Sequence, residues 1–363
     1  MALHGRAWTG LAEPMGTGCA TWCCEGSAAA AEPPCPSPRV GPPPQQARSF
    51  SVTTLLVAAT GGHLAQLYQL RPRLVEPGTP VVWATFDSPQ SRSMLAEEIV
   101  EYVPYTAPRD YRTVVANASR ALSILRKYRV DTVISTGSGI ALSFLPVARA
   151  MGKKAHYIES AARSDGPSQT GKLLEKVPGI QLSAQYRSWA RAPWGLSVSV
   201  FDDFVAHMEE ALTPQPIRSV VVTLGTIEKY GFRRLLERLV TIIPPDVDVL
   251  WQTGVTDIAG LPITGRPSMP QHELHAAMAE ADAVVAHAGI GSALGALNAG
   301  RRPILVPRRS SFDEHVDDHQ SQIARELHGR NLAIHREVPA LTWLDVQEVS
   351  TWRIQTPPHL EPR

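Results

Sequence analysis

Beyond Cys35 the chain has no cysteine: all four, Cys19, Cys23, Cys24 and Cys35, fall within the first fifty residues. A disulfide framework is therefore excluded for the remainder, which fits a cytoplasmic protein. None of the four stands in the paired C-x-x-C spacing of a zinc site, so no metal is expected. Long hydrophobic runs are also missing. Nothing approaches the roughly 20 residues that span a bilayer, and "VTTLLVAA" has only the length of a strand. Any membrane contact is expected from the surface, at the cytoplasmic face. Charge of one sign is equally scarce, with 35 Lys+Arg against 34 Asp+Glu and a net charge of +1. That leaves no electrostatic footprint for nucleic acid. No charged-then-apolar signal peptide opens the chain. Neither G-x-x-x-x-G-K-[ST] nor a full G-x-G-x-x-G with a downstream acid occurs, which argues against a P-loop ATPase and a nicotinamide dehydrogenase.

Residues 1–50 are rich in Pro, Ala and Gly, lack periodicity, and read as a disordered tail or an over-extended gene start. From Ser51 the material changes. Apolar strand-length runs ("SVTTLLVAAT", "TPVVWATF", "DTVISTG", "KKAHYIES") alternate with helical stretches such as "HLAQLYQLRPRL" and "IALSFLPVARAMG". Continuous apolar strands separated by helices imply a parallel sheet covered on both faces. The rhythm breaks at "SVSVFDDFVAHMEEALTPQPIRS", which reads as a crossing strand, a helix and a proline-rich connector, and restarts at "SVVVTLGT". With 363 residues, 44% of them apolar, the chain can fill two cores. The expected organisation is an N-terminal Rossmann-like domain over 51–200, a connector over 201–217 and a second Rossmann-like domain over 218–335. A tail over 336–363 follows, in which "ALTWLDVQEVSTWRI" forms one helix. Two doubly wound α/β domains of this kind face a cleft, and the carboxyl ends of their strands point loops into it.

Four of the strand-to-helix junctions carry glycine: "TGGH" (Thr60–His63), "STGSG" (Ser135–Gly139), "TLGT" (Thr223–Thr226) and "HAGIGS" (His287–Ser292). Glycine permits positive φ and lets a ligand touch the backbone. The helix that follows offers unpaired N–H groups and a partial positive charge, which favour phosphate. A single such turn is more often only a turn. Four in a two-domain α/β chain point to a nucleotide or diphosphate ligand.

On these motifs residues 51–335 resemble GT-B glycosyltransferases of family 28. "TGGHL" and "YIES" are similar to the membrane-recruiting, acceptor-side subunit of the two-subunit UDP-N-acetylglucosamine transferase that extends dolichol-linked sugar. "VVVTLGT", "VVAHAGIGS" and "VPRRSSFDEHVDDHQ" are similar to its donor-binding subunit, here in one chain, and the last also resembles bacterial exopolysaccharide glycosyltransferases. The resemblance implies metal-independent, inverting transfer of a sugar from a UDP-sugar to a polyprenyl-diphosphate-linked acceptor, with no cofactor besides the donor. It implies a donor site of Gly225, Thr226, Met269, His287, Gly289, Gly291 and Ser292 around nucleotide and diphosphate, with His319 and Gln320 on the sugar and Glu314 and His315 as supports. Gly61, Gly62, Gly137 and Gly139 fall on the acceptor side. In one departure, Gly295 stands where many relatives carry a ribose-binding carboxylate.

Inverting transfer needs a base for the acceptor hydroxyl. His63 is the first candidate, with acceptor-diphosphate binding as its rival role, and Glu159 is the second. His315 and His319, four apart, also admit a metal reading, against a polar helix start capped by Asp317 or Asp318. "DVD" (Asp246–Asp248) imitates a metal-binding D-x-D but opens a strand away from the cleft and reads as structural. The basic and aromatic stretch from Arg163 to Trp194 is a candidate face for an anionic membrane. Rival functions are a UDP-sugar epimerase and a non-catalytic nucleotide-sugar-binding partner, and self-association is compatible with all three.

Overall fold

The computed structural model describes residues 52–107, 110–208, 216–225 and 229–356. The tail expected over residues 1–50 lies outside them, as does Thr226. The first half runs β1 (Thr53–Ala58), α1 (Gly62–Leu74), β2 (Val81–Phe86), α2 (Pro89–Met94), β3 (Ile99–Val103) and α3 (Tyr111–Lys127). It continues through β4 (Val130–Gly137), α4 (Gly139–Ala150), β5 (Lys154–Ile158), α5 (Gln169–Leu174), β6 (Gln181–Ala184) and β7 (Trp194–Leu196). These seven strands form one parallel sheet in the order β3-β2-β1-β4-β5-β6-β7. Every residue of β1 and β2 is buried, as strands covered by helices on both faces require.

After β8 (Val205–Met208) comes the second half, with β9 (Ser219–Thr223), α6 (Arg233–Ile242), β10 (Asp248–Gln252), β11 (Gly265–Arg266), α7 (Gln271–Glu280) and β12 (Ala283–His287). Then follow α8 (Ile290–Asn298), β13 (Ile304–Val306), α9 (Gln320–Gly329), β14 (Ile334–His335), α10 (Trp343–Ser350) and β15 (Trp352–Gln355). Its parallel sheet has the order β11-β10-β9-β12-β13-β14. Both sheets reverse winding direction beside a central strand, β1/β4 in one and β9/β12 in the other. That is where an open α/β sheet leaves a crevice for a ligand.

Two sequence expectations are corrected. The segment read as a helix after the crossing strand contains β8, and the tail read as one helix ends at Ser350 and turns into β15. The two strands pair antiparallel, from Val205↔Gln355 to Met208↔Trp352. Neither half of this ribbon shows its partner locally, since about 150 residues lie between them. A Thr342–Asp345 capping box fixes the start of α10. Ile354 then joins an apolar cluster that contains Leu70, Tyr186 and Phe201 from one side and Leu294, Ile323 and Leu327 from the other. This shared core fastens the two sheets at the floor of the cleft, each large buried side chain contributing about 1.5–3 kcal/mol.

The stretch expected to face a membrane is also corrected. Tyr186 and Trp194 are buried, and Trp189 packs edge-to-face on Trp194 at a centroid distance of 5.3 Å. Two of the three rings are thus core residues, and the half-buried Trp189 packs on them and donates from Nε1 to Arg163 O.

Candidate active site

The amino ends of α1 and α8 meet across the cleft. A Cβ on Gly62 would lie 2.0 Å from Ile290 Cγ2 and 3.2 Å from Gly291 N, and one on Gly291 would lie 3.5 Å from Gly62 Cα. The missing side chains let two helix starts, each with unpaired N–H groups, approach to backbone contact. Gly61, at φ +86°, is tied off by Gln90, which accepts from its N–H and donates to its carbonyl. Gly139 opens α4, where an added Cβ would press on Thr106 Cγ2 at 3.2 Å.

Two glycines of the donor side have a steric cause that their motif did not reveal. A Cβ on Gly225 would lie 2.5 Å from His287 Cε1, and one on Gly289 would lie 2.2 Å from His287 Nε2. The imidazole is therefore sandwiched between the two turns. Its Nδ1 lies 3.4 Å from Thr223 O and 3.3 Å from Ser292 Oγ. Burial, reinforced by the Arg308 charge, pushes the pKa of His287 down to about 3, so the ring is neutral at ordinary pH.

Two hubs that sequence reading did not single out hold these loops. Gln252, buried at the end of β10, accepts from Thr223 Oγ1 (2.6 Å) and Gly225 N (3.1 Å). It donates to Gly225 O and Pro267 O, both at 2.9 Å. This locks the β9 turn to the loop carrying Met269. The second hub is Arg308, 1% exposed. It donates to the carbonyls of Tyr230 (2.7 Å), Gly231 (2.9 Å), Glu314 (3.3 Å) and Leu224 (2.7 Å). Burial pulls its pKa down to about 10, which leaves it charged. The only local signal for either hub is a polar residue at the end of an apolar strand.

Of the residues expected on the donor sugar, Gln320 is turned inward, its Oε1 accepting from Arg308 N at 3.0 Å. Glu314 is a buried support: its carboxylate takes a bidentate pair from Arg234 (2.8 and 2.7 Å) and the N–H of Arg309 (3.0 Å). His315, Asp317 and His319 form one cluster. The His315 ring stacks on Tyr230 and meets the His319 ring edge-on at 4.7 Å between centroids. Asp317 accepts from His319 Nδ1, which leaves the Nε2 lone pair of that ring free. His315 and His319 together hold the Asp317 carboxyl well below the usual carboxylate range. Metal-ligand atoms of the three residues lie within 4.8 Å of one another, so they are the one group among the described residues with the donor set for an ion. The Asp317 charge is already balanced by Arg163, 3.1 Å away. Neither Asp317 nor Asp318 caps α9: its N-cap is His319, without a side-chain cap bond. Gly295 is not forced by packing, because a Cβ there would find Met278 Sδ at an ordinary 3.8 Å.

On the opposite wall, His63 Nδ1 lies 2.7 Å from Thr136 O, and Thr136 Oγ1 donates to His63 O at 2.8 Å. A carbonyl can only accept, so Nδ1 carries the proton and Nε2 keeps its lone pair. Gly137, at φ +104°, makes room for the ring, since a Cβ there would lie 3.1 Å from His63 Cε1. Burial lowers the His63 pKa, the Thr136 carbonyl opposes this, and the charges of His319 and Arg163 lower it further. Glu159 is corrected. It is 1% exposed, and its oxygens accept from Tyr157 Oη (3.1 Å), Ser160 N (3.0 Å), Ser168 N (2.8 Å) and Ser168 Oγ (3.0 Å). One oxygen is held by Tyr157 and Ser160 and the other by Ser168 at the start of α5, so the buried carboxylate is used within the first half.

Two parallel α/β sheets whose glycine turns converge on a shared cleft define the GT-B architecture. Residues 246–340 match the glycosyltransferase family 28 C-terminal domain, so this part of the second half is similar to that domain. It is 27% identical over 251 residues to a UDP-N-acetylglucosamine–N-acetylmuramyl-(pentapeptide) pyrophosphoryl-undecaprenol N-acetylglucosamine transferase of Nitratidesulfovibrio vulgaris. That alignment covers 64% of this chain and 66% of the relative, just short of two thirds. An enzyme of the same name from Ralstonia nicotianae is 26% identical over 318 residues, covering 79% of this chain and 84% of its own. Among solved structures, Acinetobacter baumannii MurG has a TM-score of 0.53 at 18% identity, covering 83% of this chain and 92% of its own. The glycosyltransferase SnogD from Streptomyces nogalater has a TM-score of 0.54 at 19% identity, covering 82% and 90%. These two share the fold.

Proposed function

We propose that this protein is an inverting glycosyltransferase that moves a sugar, N-acetylglucosamine or a related hexose, from its UDP derivative to a polyprenyl-diphosphate-linked acceptor. The observation that carries the reading is His63, whose Nδ1 is tied to Thr136 O so that Nε2 keeps its lone pair, on the helix whose start meets the start of α8. In the reaction, Nε2 takes the acceptor hydroxyl proton as the new C1–O bond forms and the bond from C1 to UDP breaks. The departing diphosphate gains charge, which the free amides at the start of α8 stabilise. The transferase names of the two relatives support the donor and the lipid-linked acceptor. The test is UDP release from a panel of UDP-sugars in EDTA, with and without a crude polyprenyl-diphosphate-sugar fraction. Acceptor-dependent release is expected, undiminished by the chelator. Release without acceptor would favour hydrolysis or epimerase chemistry. UDP binding without turnover would favour a non-catalytic partner, a reading for which Gly295 is the motive.

A lipid-linked acceptor calls for a membrane-facing surface. No helix among the described residues is long and apolar enough to cross a bilayer. The face that fits a peripheral contact is α3 with the loop before it. Tyr105 (65%), Tyr111 (60%) and Val115 (71%) are exposed there. Arg112, Arg120 and Arg126 share the helix, and residues 111–129 contain no carboxylate. Exposed apolar side chains beside Arg112, Arg120 and Arg126 suit an anionic lipid surface, while Asp110 caps the helix start and Glu101 pairs with Lys127. The protein is expected to float with vesicles containing phosphatidylglycerol, more weakly at high salt. The triple variant Arg112→Glu, Arg120→Glu, Arg126→Glu should stay in solution. Equal flotation of that variant would remove α3 from the reading.

A further inference from the structure

Among the described residues, Arg163 is the cation of the first half that reaches the donor-side cluster of the second. Arg163 follows β5 on a loop whose backbone is fixed from several directions. Its N–H donates to Ser160 O at 2.9 Å, and its carbonyl accepts from Trp189 Nε1 at 3.1 Å. Farther along the same loop, Ser168 is held by the buried Glu159 carboxylate. From this base the guanidinium donates to Asp317 Oδ2 at 3.1 Å, and the other oxygen of Asp317 accepts from His319 Nδ1. The carboxylate thus has one oxygen on each half of the arrangement. Asp165, two residues on, pairs with Arg325 of α9 at 3.4 Å. That exposed pair contributes little by itself, but it shows the loop meeting α9 along a line of contacts.

We propose that Arg163 is a positioning residue: acting through Asp317, it fixes the tautomer and orientation of the His319 ring, and it makes that arrangement conditional on closure of the cleft. The inference rests on reading His319 as the donor-sugar contact. An aspartate at a loop tip, without its arginine, can swing to solvent and release the imidazole. A charge-assisted contact from the opposite wall removes that freedom. Because the arginine belongs to the acceptor half, an open cleft would hold UDP through the glycine turns while leaving the sugar site unassembled. Closure would assemble it.

The experiment compares Arg163→Met, Arg163→Lys, Asp317→Ala and the Arg163→Met/Asp317→Ala pair in the full chain. UDP Kd, donor KM and kcat are measured beside the ¹⁵N resonances of the imidazoles. Arg163→Met is expected to raise donor KM about ten-fold and to leave UDP Kd within about two-fold. Arg163→Lys, which keeps the charge, should recover most of the loss. The double variant should be no worse than Asp317→Ala, because both substitutions interrupt one chain. The Nδ1–H signature of His319 should be lost in Arg163→Met and kept in Arg163→Lys. An unchanged His319 signature in Arg163→Met, or additive losses in the double variant, would overturn the proposal. So would a loss of UDP affinity equal to the change in donor KM, because that is general damage to the cleft. If the signature changes as expected while donor KM stays put in every variant and in His319→Ala, the chain stands and the donor-sugar reading of His319 falls.

Discussion

Replacing His63 by alanine is expected to lower acceptor-dependent UDP release by about 10²- to 10⁴-fold, the range associated with loss of a positioned general base. The expectation follows from the tautomer. With Nδ1–H on Thr136 O, the only basic position is Nε2, and burial keeps the ring neutral near pH 7. UDP affinity should be unchanged, because the donor site lies on the opposite wall. The pH dependence has a definite sign. Activity requires neutral His63, so kcat/KM should be flat above neutrality and fall as pH drops through the His63 pKa, which lies below its ordinary 6.5. His63→Gln separates the two roles open to this residue. Glutamine can still donate hydrogen bonds to Thr136 O and to an acceptor diphosphate, but it cannot accept a proton. A glutamine variant as impaired as alanine supports the base. One that retains most of the activity with normal acceptor KM would make His63 a diphosphate ligand instead.

The second large effect is expected at Arg308. Arg308→Met should destabilise the protein by about 3–5 kcal/mol, the range for removing one partner from a buried charged network. The side chain satisfies the carbonyls of Leu224, Tyr230, Gly231 and Glu314 at once. A methionine fills similar volume but leaves all four without their donor, each a buried acceptor with its own desolvation penalty. These carbonyls belong to the two loops that border the donor side of the cleft, so UDP affinity should fall along with stability. Arg308→Lys places one ammonium where a fork of donors stood, and an intermediate loss is expected. Denaturant titration and UDP binding on the same preparations check both parts. Stability within 1 kcal/mol of the parent after Arg308→Met would mean that the loops are held by something other than this clamp.

Local sequence determined the parts of this protein that depend on spacing and polarity alone. Apolar runs of strand length, separated by helical stretches, specify parallel strands buried on both faces, and β1 and β2 are buried throughout. Glycines at strand-to-helix junctions mark where backbones must turn or approach closely, and those at Gly62 and Gly291 bring two helix starts together. His63 stood out as a candidate because its motif is compact and contiguous.

What only the tertiary structure decided is what each of these residues touches. Gly225 and Gly289 are glycine because the His287 ring lies between them, a contact that joins turns more than 60 positions apart. Glu159 looked like a strand-end carboxylate open to the cleft, yet Ser168 of the α5 loop takes one oxygen, and Tyr157 with the Ser160 N–H takes the other. Arg308 and Gln252 gave little local sign because nearly all their partners are backbone groups, which every residue possesses. The β8–β15 ribbon and the Arg163–Asp317 pair join segments about 150 residues apart. Periodicity reports which face of an element is buried, but it carries no information about the distant segment that buries it. Polar hubs exist only once distant loops of one half meet, and cross-cleft pairs such as Arg163–Asp317 only once the two halves do.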